Sequence, residues 1–254
     1  MKVRILGCGT SSGVPRIGGD WGACDPTDPR NRRTRVSILV EAGGARVLVD
    51  TSPDLRQQLL DAGIGAIDAV IWTHDHADHC HGIDDLRQLF HLSGRPVVGY
   101  GRPETLAQLE MRFGYVFSGR DGYPPTVTAM ALPDRLDIGA LTVRCVDQPH
   151  GTIASTGLRF EADGDAIGYA TDFHAMTDAM RALYAGLDLW IVDCLRRRPH
   201  PTHPSLPQVL DWRDALEPGK TLLTHLDQSM DYEELKGELP PAVEPAFDGY
   251  SLQS

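Results

Sequence analysis

No stretch of this chain approaches the roughly 18 consecutive apolar residues that a membrane span requires. The N-terminus enters at once into Val3-Arg4-Ile5-Leu6, without the long apolar region and cleavage site of a secretory leader, so the cytoplasm is the expected compartment. Cysteine is scarce. Cys8, Cys24, Cys80, Cys145 and Cys194 are scattered and never paired as C-x-x-C, which argues against a disulfide framework or a zinc knuckle and leaves reduced, mostly buried thiols as the expectation. Basic residues are outnumbered, 24 Lys plus Arg against 35 Asp plus Glu. The resulting net charge of −11 argues against a nucleic-acid partner, whose backbone would be repelled. Linkers and short-period repeats are missing too. The 254 residues, 41% of them hydrophobic, are therefore expected to form one domain over residues 1–254 with a sizeable core.

Two local clusters run against the acidic balance: Arg30, Arg32, Arg33 and Arg35, and Arg196, Arg197 and Arg198. They would attract a small phosphate ester, or else form a solvated, salt-bridged surface, the commoner outcome. The Gly/Ser-rich stretch from Gly7 to Gly13 follows a strand over residues 3–6 and offers closely spaced backbone N–H groups to a phosphate oxygen, or is a plain tight turn. It is not a P-loop, because no Gly-Lys-Ser/Thr follows.

Hydrophobic periodicity sketches the remaining elements. A hairpin is expected over 36–41 and 46–50 around Gly43-Gly44. A helix is expected from Ser52-Pro53, with Leu55, Leu59 and Leu60 on one face and Gly63 as its stop. The run 69–72 reads as a strand covered on both faces, and Ile83, Leu86, Leu89 and Phe90 recur at helical spacing. A strand at 96–100 and a helix at 102–112 come next, then an aromatic, aperiodic stretch at 113–128 that reads as a loop or lid. Strands over 141–146, 154–161, 166–170, 187–192 and 221–224, with helices over 176–186 and 205–217, complete two sheets packed face to face with helices outside.

Thr73-His74-Asp75-His76-Ala77-Asp78-His79 stands at the end of the buried run 69–72. Three imidazoles and two carboxylates within seven residues are the ligand types that bind zinc, manganese or iron. A solvated His-rich turn has no reason to alternate ligands as H-x-H-x-D-H behind a buried strand. His74 and His76 point one way as an i, i+2 pair, while the turn swings Asp78 and His79 toward a second point, so one loop can serve two metals. His150, Asp172 and His225 each follow an expected strand, and strand ends on one sheet edge converge on this loop.

These motifs resemble the metallo-β-lactamase superfamily, and within it the phosphodiesterase branch of PhnP-like cyclic-phosphate phosphodiesterases and tRNase Z. The resemblance spans the chain: residues 6–15, 48–54, the H-x-H-x-D-H loop, Tyr169-Ala170-Thr171-Asp172 and Leu223-Thr224-His225. It implies an αββα sandwich of class α/β (α+β) with a dinuclear site of two divalent ions, Zn²⁺ or Mn²⁺, between the sheets. His74, His76 and His150 would hold one metal, Asp78, His79 and His225 the other, and Asp172 would bridge. Asp50 matches a buried aspartate that orients a ligand loop. Relatives often carry an extra structural zinc on a Cys/His cluster, whereas residues 18–33 offer only Cys24. Gln228 stands where many relatives have a further His.

The activity so implied is hydrolysis of a small phosphodiester, cyclic ones included, by a dinuclear-metal hydroxide, since metal lowers a water's pKa to roughly 7. His203 and Asp78 are the candidate catalytic residues, His203 as proton donor to the leaving alkoxide, with His200 as the alternative. His81, His91 and His174 are read as structural. Rival readings are a thioester or lactam hydrolase, tRNase Z-like RNA processing, and a non-catalytic metal-binding or cofactor-assembly protein. A small-molecule phosphodiester is the expected partner, with no membrane, and a homodimer is left open.

Overall fold

Strand runs that are apolar throughout need cover on both faces. The computed structural model, which describes residues 1–253, supplies it with two seven-stranded mixed sheets packed face to face. In chain order the first sheet takes β1 (Lys2–Gly7), β2 (Ser37–Ala42), β3 (Ala45–Val49), β4 (Ala69–Ile71), β5 (Val97–Gly101) and β6 (Val127–Ala131). The second takes β7 (Arg135–Ile138), β8 (Leu141–His150), β9 (Ile153–Ala162), β10 (Asp165–Ala170), β11 (Leu189–Asp193), β12 (Lys220–Thr224) and β13 (Val243–Pro245). The chain then returns as β14 (Ser251–Gln253) to pair antiparallel with β1. Helices α1 (Leu55–Ala62), α2 (Ala77–Cys80), α3 (Leu86–Ser93) and α4 (Pro103–Ser118) connect strands of the first sheet; α5 (Asp178–Leu183), α6 (Leu206–Leu216) and α7 (Tyr232–Glu238) connect those of the second.

Three apolar clusters set the layers. Ile38, Val40, Val47 and Ile71 meet Leu158, Phe160, Ile167 and Tyr169 between the sheets. Leu39, Leu48, Val70 and Trp72, on the opposite face of the first sheet, pack on Leu55, Leu86 and Leu109 of its helices. Trp190, Val192 and Leu223 do the same with Met180, Val209 and Leu235. This is the expected αββα sandwich. Among the described residues no helix is long and apolar enough to cross a membrane.

The parallel strands position the site. β3, β4 and β5 run in one direction in the first sheet, and β10, β11 and β12 in one direction in the second. Their C-terminal ends release Asp50, the loop from Thr73, Asp172, Asp193 and His225 along one rim, and β8, two antiparallel steps from β10, delivers His150 there as well. Trp72 fixes the root of the loop over residues 73–79. Its ring is fully buried, its indole N–H donates to Thr51 Oγ1 at 2.9 Å, and a Cβ on Gly99 would stand 2.4 Å from it, so β5 needs glycine there. Truncating an aromatic residue so placed typically costs about 3–5 kcal/mol.

Some local expectations need correction. The helix after Ser52 begins at Leu55, because Ser52 Oγ accepts from the Asp54 N–H and shapes a turn before it. Leu55 and Leu59 are buried, but Leu60 faces solvent. Of the stretch 113–128 only residues 119–126 form a loop. α4 continues to Ser118 across a kink at Phe113 (φ −124°, ψ 32°), Val116 is buried in the helix-sheet core, and β6 begins at Val127. Gly114 and the aromatics hid a helix that tertiary packing stabilises. β7, β13, β14 and α7 were not expected either; they are short and peripheral, where periodicity is weakest.

Candidate metal centre

The rim gathers all seven candidate ligands. Potential ligand atoms of His74, His76, His150 and Asp172 lie within 4.8 Å of one another, as do those of Asp78, His79 and His225. Asp172 joins the groups: Oδ2 stands 3.1 Å from His79 Nε2 and 3.5 Å from His225 Nε2, while Oδ1 stands 3.6 Å from His150 Nε2 and 3.9 Å from His74 Nε2. Backbone conformation aims these groups. Asp50, Asp172 and His225 each take a left-handed φ, at 63°, 55° and 57°, so that the chain turns sharply as it leaves the strand. Asp and His tolerate that region better than most residues, and such strain concentrates at functional sites.

Outer hydrogen bonds fix the ring tautomers. His150 Nδ1–H donates to the Thr202 carbonyl at 3.0 Å, which leaves its Nε2 lone pair facing the site. His79 Nδ1–H donates to Asp50 Oδ2 at 2.7 Å, which turns its Nε2 toward the site. Asp50 is fully buried and also accepts from the Thr73 N–H and hydroxyl, so one carboxylate ties the loop's first residue to its last histidine. Thr171 Oγ1 donates to Asp172 Oδ2 at 2.6 Å. Such partners orient metal ligands and raise their basicity.

Do these residues fit a metal? Nε2 of His74, His79 and His225 is buried without an aligned hydrogen bond among the described residues. His150 Nε2 and His76 Nδ1 meet at 3.3 Å, a contact that one proton, or a cation held by both rings, would bridge. The electrostatics point the same way. Burial opposes charge on Asp172, yet His225 and His79 outweigh it and hold the carboxyl well below its ordinary range. Burial also disfavours imidazolium at His79 and His225. Asp172, Asp78 and Asp50 nonetheless raise His79 well above the usual histidine value, and Asp172 and Asp193 raise His225 to about 9. Burial, with the neighbouring imidazolium of His79, keeps His74 well below it and so neutral, as a ligand must be. Carboxylates that draw protons this strongly onto imidazoles make a field that divalent cations satisfy, so the donor set fits two of them.

His203 enters from the loop before α6. Its Nδ1–H donates to Asp193 Oδ2 at 2.7 Å, its ring stacks on His225 at 4.8 Å, and its Nε2 lies 3.8 Å from Asp172 Oδ1. The same Asp193 oxygen accepts from the Asp172 N–H at 3.1 Å, so one buried carboxylate positions both groups. His203 lines the open cavity of about 310 Å³ over the centre with His76, Asp78, His150, Asp172 and His225. His200 does not line it; its Nδ1 accepts from the Thr202 N–H. His81 packs edge-on against Phe113, and His174 Nδ1 accepts from the Gly151 N–H.

The anion-binding expectations fare differently. In the Gly7–Gly13 stretch the N–H groups of Cys8, Gly9, Thr10 and Gly13 are spent on Asp248, Thr34, Leu226 and Thr10. The turn these bonds build brings Ser11 to the cavity. Most of the arginines are also engaged. Arg33 is buried with its guanidinium on the carbonyls of Asp227 and Met230, Arg30 pairs with Asp28 and Glu233, Arg35 with Asp54, and Arg197 with Glu234 and Glu238. Sequence reasoning missed Thr73 and the Arg112–Asp75 ion pair that ties α4 to the metal loop. Thr73 had a signal, as a hydroxyl residue directly ahead of the first histidine.

Comparison with known proteins shows the family and the fold. Residues 45–226 match the family described as the Beta-lactamase superfamily domain. The chain is 32% identical over 257 residues to an octanoyltransferase of Porphyromonas gingivalis, covering 98% of this chain and 51% of that one. It is 33% identical over 137 residues to a ribonuclease Z of Bradyrhizobium sp. (strain ORS 278), covering 52% and 46%. The chain thus spans about half the length of these curated relatives. Among solved structures, a diphosphatase from the PhnP family superposes with a TM-score of 0.91 at 35% identity, over 100% of this chain and 97% of that one.

Proposed function

The chain belongs to the beta-lactamase superfamily, and on that footing we propose that it is a metal-dependent phosphodiesterase acting on a small phosphodiester. The observation that carries this reading is His203, pinned by Asp193 with its free nitrogen turned toward the carboxylate the two ligand groups share. A diester of phosphate expels an alkoxide, which needs a proton as the P–O bond breaks; a thioester expels a thiolate, which does not. The similarity to a diphosphatase of the PhnP family supports phosphoryl chemistry.

His74, His76 and His150 would hold one ion, Asp78, His79 and His225 the other, with Asp172 between them. Bound there, Zn²⁺ or Mn²⁺ supplies Lewis acidity that acidifies water and offsets charge on phosphoryl oxygens. The protein's own residues do the rest. Asp50 and the Thr202 carbonyl hold His79 and His150 in the tautomer that turns Nε2 inward. Asp193 keeps Nδ1 of His203 protonated, so that Nε2 is the nitrogen that delivers a proton to the leaving oxygen and recovers one from water. Asp78, 3.5 Å from both His79 Nε2 and His225 Nε2, fixes the second group of ligands.

A substrate panel on metal-replete protein tests the reading. Bis-p-nitrophenyl phosphate, a 2′,3′-cyclic nucleotide or a diphosphate ester should be hydrolysed well above the metal-only background, and nitrocefin and S-lactoylglutathione should not. The reverse preference would move the activity to lactam or thioester hydrolysis. Processing of precursor tRNA with comparable efficiency would support an RNA substrate, against the acidic balance of the chain.

A further inference from the structure

The centre is polarised, and the polarity assigns the two ends of a substrate. Resting on the phosphodiesterase reading above, we infer that the leaving alcohol occupies the cavity on the His150 side of the centre and that this alcohol is uncharged or cationic, with Glu104 as the residue that reads its charge. His203 Nε2 and the imidazoles of His74 and His150 all face Oδ1 of Asp172, whereas His79 and His225 face Oδ2. The oxygen that His203 protonates therefore leaves on the Oδ1 side. The turn after β8 lies against the loop carrying His203, since a Cβ on Gly151 would stand 3.1 Å from Thr202 Cγ2. Thr152 and Ile153 of that turn line both the cavity over the centre and a neighbouring one of about 820 Å³, large enough for a substantial alcohol. On the Oδ2 side, Ser11 and Asp78 connect instead to a separate cavity of about 560 Å³ beside Arg16, Ile17 and Arg35, left for the retained substituent.

The leaving-group cavity has no cation to spare. Its arginine, Arg102, donates at 2.8 Å to both Asp134 and Asp147, and Asp75 is paired with Arg112. Glu104, exposed on the first turn of α4 and lining the cavity, has no ion-pair partner among the described residues. Three carboxylates, Asp75, Glu104 and Asp147, thus line the cavity with one guanidinium, Arg102, and a phosphate- or carboxylate-bearing alcohol would meet net repulsion. In the step itself, water oxygen bonds to phosphorus, the P–O bond to the alcohol breaks with its electron pair on that oxygen, and the His203 proton completes the alcohol. The phosphate monoester keeps the water oxygen, and the water's proton restores His203.

Three ethyl phosphodiesters test this: those of choline, of its uncharged isostere 3,3-dimethylbutanol, and of glycolate. Hydrolysis by the metal-replete enzyme in ¹⁸O-water should place the label in ethyl phosphate, with choline or dimethylbutanol released. Glu104→Lys, on an exposed position away from the metal ligands, should lower kcat/KM for the choline diester roughly three- to ten-fold and raise it similarly for the glycolate diester. The dimethylbutyl diester should be unchanged, so that differences in intrinsic leaving-group reactivity cancel. Label in phosphocholine, or an equal effect of Glu104→Lys on all three diesters, overturns the assignment while hydrolysis of bis-p-nitrophenyl phosphate keeps the phosphodiesterase reading. If no phosphodiester is cleaved, that reading itself fails.

Discussion

His203→Ala should lower kcat on an alkyl phosphodiester by about 10² to 10⁴-fold, roughly 3 to 5 kcal/mol in the barrier, while both metals stay bound. The expectation follows from what each nitrogen does. Nδ1 is committed to Asp193 and Nε2 is turned toward Asp172 Oδ1, where the proposed reaction would form an alkoxide. With p-nitrophenolate as the leaving group, which departs without protonation, the loss should shrink to less than about tenfold. His200→Ala should show neither effect, because His200 does not line the cavity. Two other results would reassign His203. It also lies within ligand distance of Asp172, Asp193 and His225, so loss of metal from the alanine variant, measured by elemental analysis, would make it a ligand. An equal loss on alkyl and p-nitrophenyl substrates would make it a positioning group.

Asp172→Ala should have the larger effect on the centre. The carboxylate is buried, presents one oxygen to each ligand group and accepts the Thr171 hydroxyl. Its removal takes a candidate ligand from both positions at once and sets His79, His225, His74 and His150 against one another without an intervening negative charge. Metal content should fall below one ion per chain, and hydrolysis should drop by more than about 10³-fold, toward the metal-only background. His76→Ala, by contrast, touches only the first group and should remove one ion while the second is kept. Retention of both ions and most activity in Asp172→Ala would show that the two groups do not share this residue.

The sequence carried the parts of this site that are local. H-x-H-x-D-H behind a buried strand is a pattern of neighbours, and the structure brings those four residues together with His150, Asp172 and His225 as strand-end positions. The sandwich was legible for a similar reason, since continuous apolar runs and hairpin glycines report burial and turns directly. Long-range hydrogen bonding was not. Whether an N–H in the Gly7–Gly13 stretch is free for a phosphate depends on Thr34, Leu226 and Asp248, which only the folded chain brings beside it. The arginine clusters misled in the same way: Arg33 reads as surface charge, yet its guanidinium is a buried clasp on two carbonyls from residues 227 and 230. The kinked continuation of α4 through Phe113 depends on burial of Val116, with Phe117 half-buried beside it, against the sheet, which local propensity does not contain.

Metal stoichiometry is the measurement closest to the central claim. Purified protein, dialysed and then loaded with Zn²⁺ or Mn²⁺, should hold close to two ions per chain by elemental analysis, and hydrolysis of bis-p-nitrophenyl phosphate should rise with their occupancy. Protein that binds no metal after loading, or that cleaves the diester equally well without it, would contradict the dinuclear centre.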